Sequence, residues 1–134
     1  MDLSPFARRS SLAAYQSTAV HGGVAAADPH GLVLMLLDAA VERLNTARGC
    51  IEHGETVRKA KLLHGCVMLI TELRGSLNMA QGGPLAQNLS NLYSYMMQQL
   101  LRANVANDAT LVTEVLGLLG DIRSGWAAIG PRHE

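Results

Sequence analysis

Aromatic residues make up only 4% of this 134-residue chain, and cysteine occurs only twice, as Cys50 and Cys66. With so few rings, a core must be built from Leu, Val, Ile, Met and Ala, a mixture that favours helices over sheets. Two cysteines exclude a secreted disulfide scaffold, and nothing beside them looks like a redox pair, so a reducing cytoplasm fits. A surplus of charge is missing as well. Eleven basic and eleven acidic side chains cancel, which removes the attraction behind most non-specific nucleic-acid binding. Long apolar runs are absent: the longest, Leu32 to Leu37, stops at Asp38, far short of the ~20 residues a spanning helix needs. No direct membrane insertion is expected. Arg8 and Arg9 precede an Ala-rich stretch, but Gln16, Ser17, Thr18 and His21 interrupt it, which argues against a twin-arginine export signal.

What is present reads as one domain behind an arm. Residues 1–27 are rich in Ser, Ala and Gly and form an N-terminal arm, with a short helix allowed over Leu12–Val20. Residues 28–134 carry the repeating apolar pattern. Asp28 suits an N-cap and Pro29 the first helical position. Leu32, Leu36, Ala40, Leu44, Ala47 and Ile51 follow at helical spacing until Gly54, a left-handed stop. Thr56 is placed to cap a second helix with Ala60, Leu63, Val67, Ile70, Leu73 and Leu77, ended by Gly82-Gly83. Pro84 opens a third, with Leu85, Leu89, Leu92, Met96 and Leu100. Asp108 caps a fourth, carrying Leu111, Val115, Leu118, Ile122, Trp126 and Ile129. Short connections make neighbours antiparallel, so the expected fold is all-α, an antiparallel up-down four-helix bundle.

Six glycines, Gly49, Gly65, Gly75, Gly117, Gly120 and Gly125, fall inside these helices, each costing about 1 kcal/mol relative to Ala. They serve close helix approach, or sit on tolerant solvent faces, or leave shallow grooves for a partner's helix.

Catalytic and metal chemistry finds little footing. Bundle di-metal centres need paired Glu-x-x-His motifs, and none is present. Cys50 and His53 stand three apart, whereas His64 and Cys66, two apart, point in different directions on a helix. His64 sits midway along the second helix, where phosphotransfer domains carry their acceptor. Those domains usually follow it with Lys and Gly, and here the positions are Val67 and Met68, with no cation for a phosphoryl group. His21, His30, His53 and His133 fall in loops or at helix ends, where a solvated imidazole is the default. No catalytic residue, metal or cofactor is expected.

The order of several short motifs is more telling. Ala14-Tyr15 stands in the arm and Ala27-Asp28-Pro29 opens the first helix. Glu72-Leu73-Arg74-Gly75-Ser76-Leu77 precedes Gly82-Gly83. Then comes Ala86-Gln87-Asn88-Leu89-Ser90-Asn91-Leu92-Tyr93-Ser94-Tyr95-Met96, followed by Ala103-Asn104, Asn107-Asp108, Glu114-Val115 and Trp126. In this series, from about Ala14 to Trp126, the chain resembles the flagellar secretion chaperone family FliS. It departs where members often have Leu-Tyr-Asp-Gly, here Leu36-Leu37-Asp38-Ala39, where they have an acidic residue, here Asn78, and where they have Glu, here Pro84.

The resemblance implies a cytoplasmic, non-enzymatic export chaperone. It would bind the disordered C-terminal segment of flagellin as helices in apolar surface grooves, prevent premature polymerisation, and assist delivery to the membrane export gate of the flagellar type III system. It leaves a homodimer open. Each long helix has more apolar positions than one stripe needs: Val33, Leu37 and Val41 on the first, Tyr93, Met97 and Leu101 on the third, Val112, Leu116 and Leu119 on the fourth. Leu37, Tyr93, Met96, Met97, Leu101, Val112, Leu116 and Leu119 are therefore the candidate groove residues, with Leu12, Tyr15 and Val20 of the arm expected to cover a groove when the client is absent. A helical adaptor for another client is the rival reading, and a phosphotransfer domain using His64 a third.

Overall fold

A computed structural model describes residues 29–129. Four helices follow in order: α1 (Pro29–Glu52), α2 (Thr56–Gly75), α3 (Met79–Ala106) and α4 (Ala109–Ile129). Helix α1 packs against α2 and α4, and α3 packs against the same two, so the four close into a ring. Cross-links fix the directions. His30 meets Trp126, Asp38 meets Arg123 and Arg48 meets Thr113, so α4 runs back along α1. Lys59 meets Asn107 and Arg74 meets Ser94, so α3 runs back along α2. The bundle is antiparallel, up-down-up-down, and no strand occurs among the described residues.

Three helix ends differ from the sequence expectation. Thr56 does not cap α2; Glu55 takes that position, without a side-chain cap bond, and Thr56 is the first helical residue. Helix α2 stops at Gly75 rather than at the glycine pair: Ser76 N donates to Glu72 O and Leu73 O, and its hydroxyl donates to Leu73 O at 2.7 Å. The Ser76 hydroxyl and N–H thus occupy the Leu73 carbonyl that a continuing helix would offer to Leu77 N, which bonds to Arg74 O instead. Asn78 then caps a new turn by accepting from Gln81 N at 3.0 Å. The turn breaks at Gly83 (φ 53°, ψ −135°), a conformation that side chains disfavour, and Pro84 starts the long straight part of α3. Further on, Asn107 adopts the left-handed conformation that ends α3. Asp108 does cap α4, its carboxylate accepting from Thr110 N at 2.9 Å and from the Thr110 hydroxyl at 2.6 Å. Those bonds hold its carboxyl below the usual range.

The core runs the length of the ring, with Leu36, Ala40, Leu44, Leu63, Cys66, Ile70, Leu73, Leu100, Ala103 and Val115 among its buried side chains. On α4 the buried residues are Val112, Val115 and Leu119, while Leu111, Leu118, Ile122 and Trp126 are only partly covered. The buried face is thus turned toward the flank the sequence pattern had set aside as surplus. A helix held by two neighbours buries the arc between them, not the most regular stripe. At Gly49, Gly75, Gly117, Gly120 and Gly125 a Cβ would meet nothing within 4 Å, so close helix approach is not what these glycines serve. No described helix is long and apolar enough to cross a membrane.

Candidate functional site

Burial divides the predicted groove residues. Leu37, Met96, Val112 and Leu119 are fully enclosed and Tyr93 is nearly so. These five are core residues and line no open groove in this conformation, a correction that follows from the turned helix faces. Met97 and Leu116 lie half-buried at the margin of the core. Leu101 stands 60% exposed. Leu12, Tyr15 and Val20 fall outside the described residues.

Each of the four outer seams of the ring is finished differently. Along α1/α4, Leu116 and Val41 are partly buried beneath polar clasps: Arg48 Nη1 donates to Thr113 Oγ1 at 3.1 Å and Arg123 Nε to Asp38 Oδ1 at 2.5 Å. His30 and Trp126 close the same seam at its end, and His30 is buried there instead of solvated as expected from sequence. Along α3/α4, Tyr95 hydroxyl and Gln99 Nε2 both donate to the Glu114 carboxylate, at 2.5 and 2.8 Å, while Arg102 donates to Gln99 Oε1 at 2.9 Å. These bonds favour the ionised form, so the Glu114 carboxyl lies low and the Tyr95 phenol high.

The α1/α2 seam holds both thiols. Cys66 is enclosed, its Sγ 3.8 Å from Ala40 O, and burial pushes its pKa up to about 12. Burial, followed by the adjacent Glu55 carboxylate, raises Cys50 as well. Neither is a ready nucleophile or metal ligand. Their histidine neighbours turn elsewhere: His53 donates through Nδ1 to Gly49 O at 2.8 Å, and His64 is exposed. Among the described residues no three His, Cys, Asp or Glu side chains are grouped so as to hold a metal ion.

The α2/α3 seam carries apolar side chains that reach the surface. Polar bonds secure its two ends. At one, the ammonium of Lys59, only 4% exposed, donates to Asn104 O at 3.0 Å and Asn107 Oδ1 at 2.9 Å, placing a positive charge on the C-terminus of α3. At the other, Arg74 Nη1 donates to Ser94 Oγ at 2.9 Å. Between them lie about four helical turns, roughly 22 Å, where Val67 and Met97 are half-buried and Leu101 projects. Thr71 Oγ1 reaches Met97 Sδ at 3.3 Å across this stretch. One turn beyond Leu101 stands Val105, 90% exposed; Val57 and Met68 are exposed on the outer face of α2, to the side of this strip.

Sequence reasoning found Met97 and Leu101 and missed Val67 and Val105. Val67 falls on the regular apolar stripe of α2, and an isolated valine such as Val105 carries no signal of exposure. Lys59 gave no signal either, since a lysine in a helical first turn reads as a surface residue.

The fold is a closed four-helix bundle that leaves apolar side chains uncovered along its α2/α3 seam, and comparison with known proteins gives its class. The chain is 40% identical over 124 residues to the flagellar secretion chaperone FliS of Salmonella typhimurium, covering 92% of each. It is 39% identical over 115 residues to the flagellar secretion chaperone FliSB of Pseudomonas aeruginosa, covering 86% of this chain and 91% of that one. To the flagellar secretion chaperone FliS of Vibrio cholerae it is 35% identical over 125 residues, covering 93% and 92%. Residues 11–133 match the family described as Flagellar protein FliS. The chain belongs to the FliS family of flagellar secretion chaperones.

Proposed function

We propose that this chaperone holds the disordered C-terminal segment of flagellin as helices laid along apolar surface seams, in the bacterial cytoplasm, and that the α2/α3 seam is a principal seat. The observation that carries the reading is the apolar strip of Val67, Met97 and Leu101 between the Lys59 and Arg74 clasps. A client helix with apolar residues at i, i+3, i+4 and i+7 fits such a strip. Covering that segment keeps it from pairing with other flagellin copies, and the loaded complex is what the export gate receives. Catalysis plays no part in this function.

The test is calorimetry of the full chain with a peptide of the last forty or so residues of the organism's flagellin, a length estimated from helix-in-groove binding. Binding is expected for the native chain. Leu101→Glu, which sets a charge in the strip without touching the core, is expected to weaken it by about tenfold or more. Absence of binding by the native chain refutes the client assignment. Full affinity in Leu101→Glu refutes the seam.

A further inference from the structure

Met97 is a thioether set in the seam rather than beneath it. Its neighbour Met96 is sealed in the core, whereas Met97 keeps part of its surface open. The Thr71 hydroxyl stands over it: Thr71 Oγ1 is 2.8 Å from Val67 O and 3.3 Å from Met97 Sδ. One hydroxyl proton thus serves two acceptors, a carbonyl and a weakly accepting sulfur.

We infer that Met97 is an oxidation site that closes the α2/α3 seam to client, an inference that rests on the reading of that seam given above. A hydroperoxide transfers one oxygen to Sδ. The O–O bond breaks as the S–O bond forms; sulfur is oxidised by two electrons, and hydrogen peroxide leaves as water. The product is a sulfoxide, polar where the thioether was apolar, and reversible by methionine sulfoxide reductases. Its oxygen is a stronger acceptor than sulfur and lies within the reach of Thr71, which holds the new dipole over the strip that a client helix has to cover. That one hydroxyl proton is shared with Val67 O, so it satisfies only part of the sulfoxide oxygen, and a docking helix strips water from the rest against an apolar side chain, which is unfavourable.

Other methionines differ in placement. Met96 is shielded from peroxide by burial. Met68 and Met79 are exposed, so oxygen added there stays in water and changes the seam little.

The test treats the full chain with hydrogen peroxide until peptide mass spectrometry locates one added oxygen on Met97, and then measures binding of the flagellin C-terminal peptide. Native protein, Met97→Leu and Met68→Leu are compared before and after. Leu replaces Met with little change of volume, so both variants should fold. Oxidation is expected to weaken binding by about tenfold in the native chain and in Met68→Leu, and by less than about twofold in Met97→Leu. Equal losses in native and Met97→Leu proteins overturn the assignment, as does undiminished binding by protein oxidised at Met97, or a Met97 that peroxide leaves unmodified. An untreated chain that binds no peptide refutes the client reading itself, a separate result.

Discussion

His30 and Trp126 hold each other twice. His30 Nε2 donates to the Trp126 carbonyl at 2.7 Å, Trp126 Nε1 donates to the His30 carbonyl at 3.0 Å, and the rings stack with centroids 4.9 Å apart. Because a carbonyl only accepts, Nε2 must be the donor in this bond. This pair ties the first turn of α1 to the last turns of α4. His30→Ala removes one bond and the stack and is expected to cost about 2 kcal/mol, read from urea unfolding. Trp126 is the only tryptophan, so its emission should shift red in the same variant at neutral pH, before unfolding begins.

Lys59 makes a second long-range tie, between the start of α2 and the end of α3. Lys59→Met keeps the stem and removes the charge. The loss of two charge-assisted bonds at a helix C-terminus should lower stability by about 2 kcal/mol. Circular dichroism in urea checks it, and a midpoint equal to that of the native chain would show the ammonium to be idle.

Depth separates the predicted seam residues into two groups with opposite expected behaviour. Leu37→Ala, at a fully buried site, should cost about 2–5 kcal/mol. Leu101→Ala, on an exposed flank, should change stability by less than about 0.5 kcal/mol while still weakening peptide binding. Denaturation and calorimetry on the same two variants test this crossing.

Glu114 governs an acid limb. Hydrogen bonds from Tyr95 and then Gln99 lower its folded pKa below the ordinary 4.5, so the native state favours the carboxylate. That contribution is complete above the unfolded value and is lost as pH falls through the folded one. Glu114→Gln should therefore flatten the decline of stability below about pH 4.5, with little change in its shape near neutrality. Urea midpoints across the acid range provide the measurement. Asp108, lowered by its bonds to Thr110, adds to the same limb and remains in the variant, so the decline should shrink without vanishing.

The four helices and their directions were legible because apolar spacing and the Asp-Pro, Gly and Asn-Asp breaks report on local backbone preference. Asp108 shows this well, since its cap depends on its immediate neighbours alone. Thr56 and the end of α2 were misread because a neighbouring turn competes for the same cap and carbonyl groups, and the Ser76 hydroxyl settles the competition at Gly75. The groove residues were harder still. Tyr93 and Leu101 are both apolar positions on one helix, and only the placement of α2 and α4 around it decides that the first is enclosed and the second is not. His30 and Lys59 escaped for the same reason: their partners lie 96 and 45 or 48 residues away.

Helix α4 carries Gly117, Gly120 and Gly125 with empty space where each side chain would stand. Three such rungs forgo roughly 3 kcal/mol of helical preference compared with alanine, and no closeness of packing is gained in return. The rod should be softer along this outer edge than an alanine-bearing helix would be. Its amides there should trade hydrogen for deuterium sooner than those of α1.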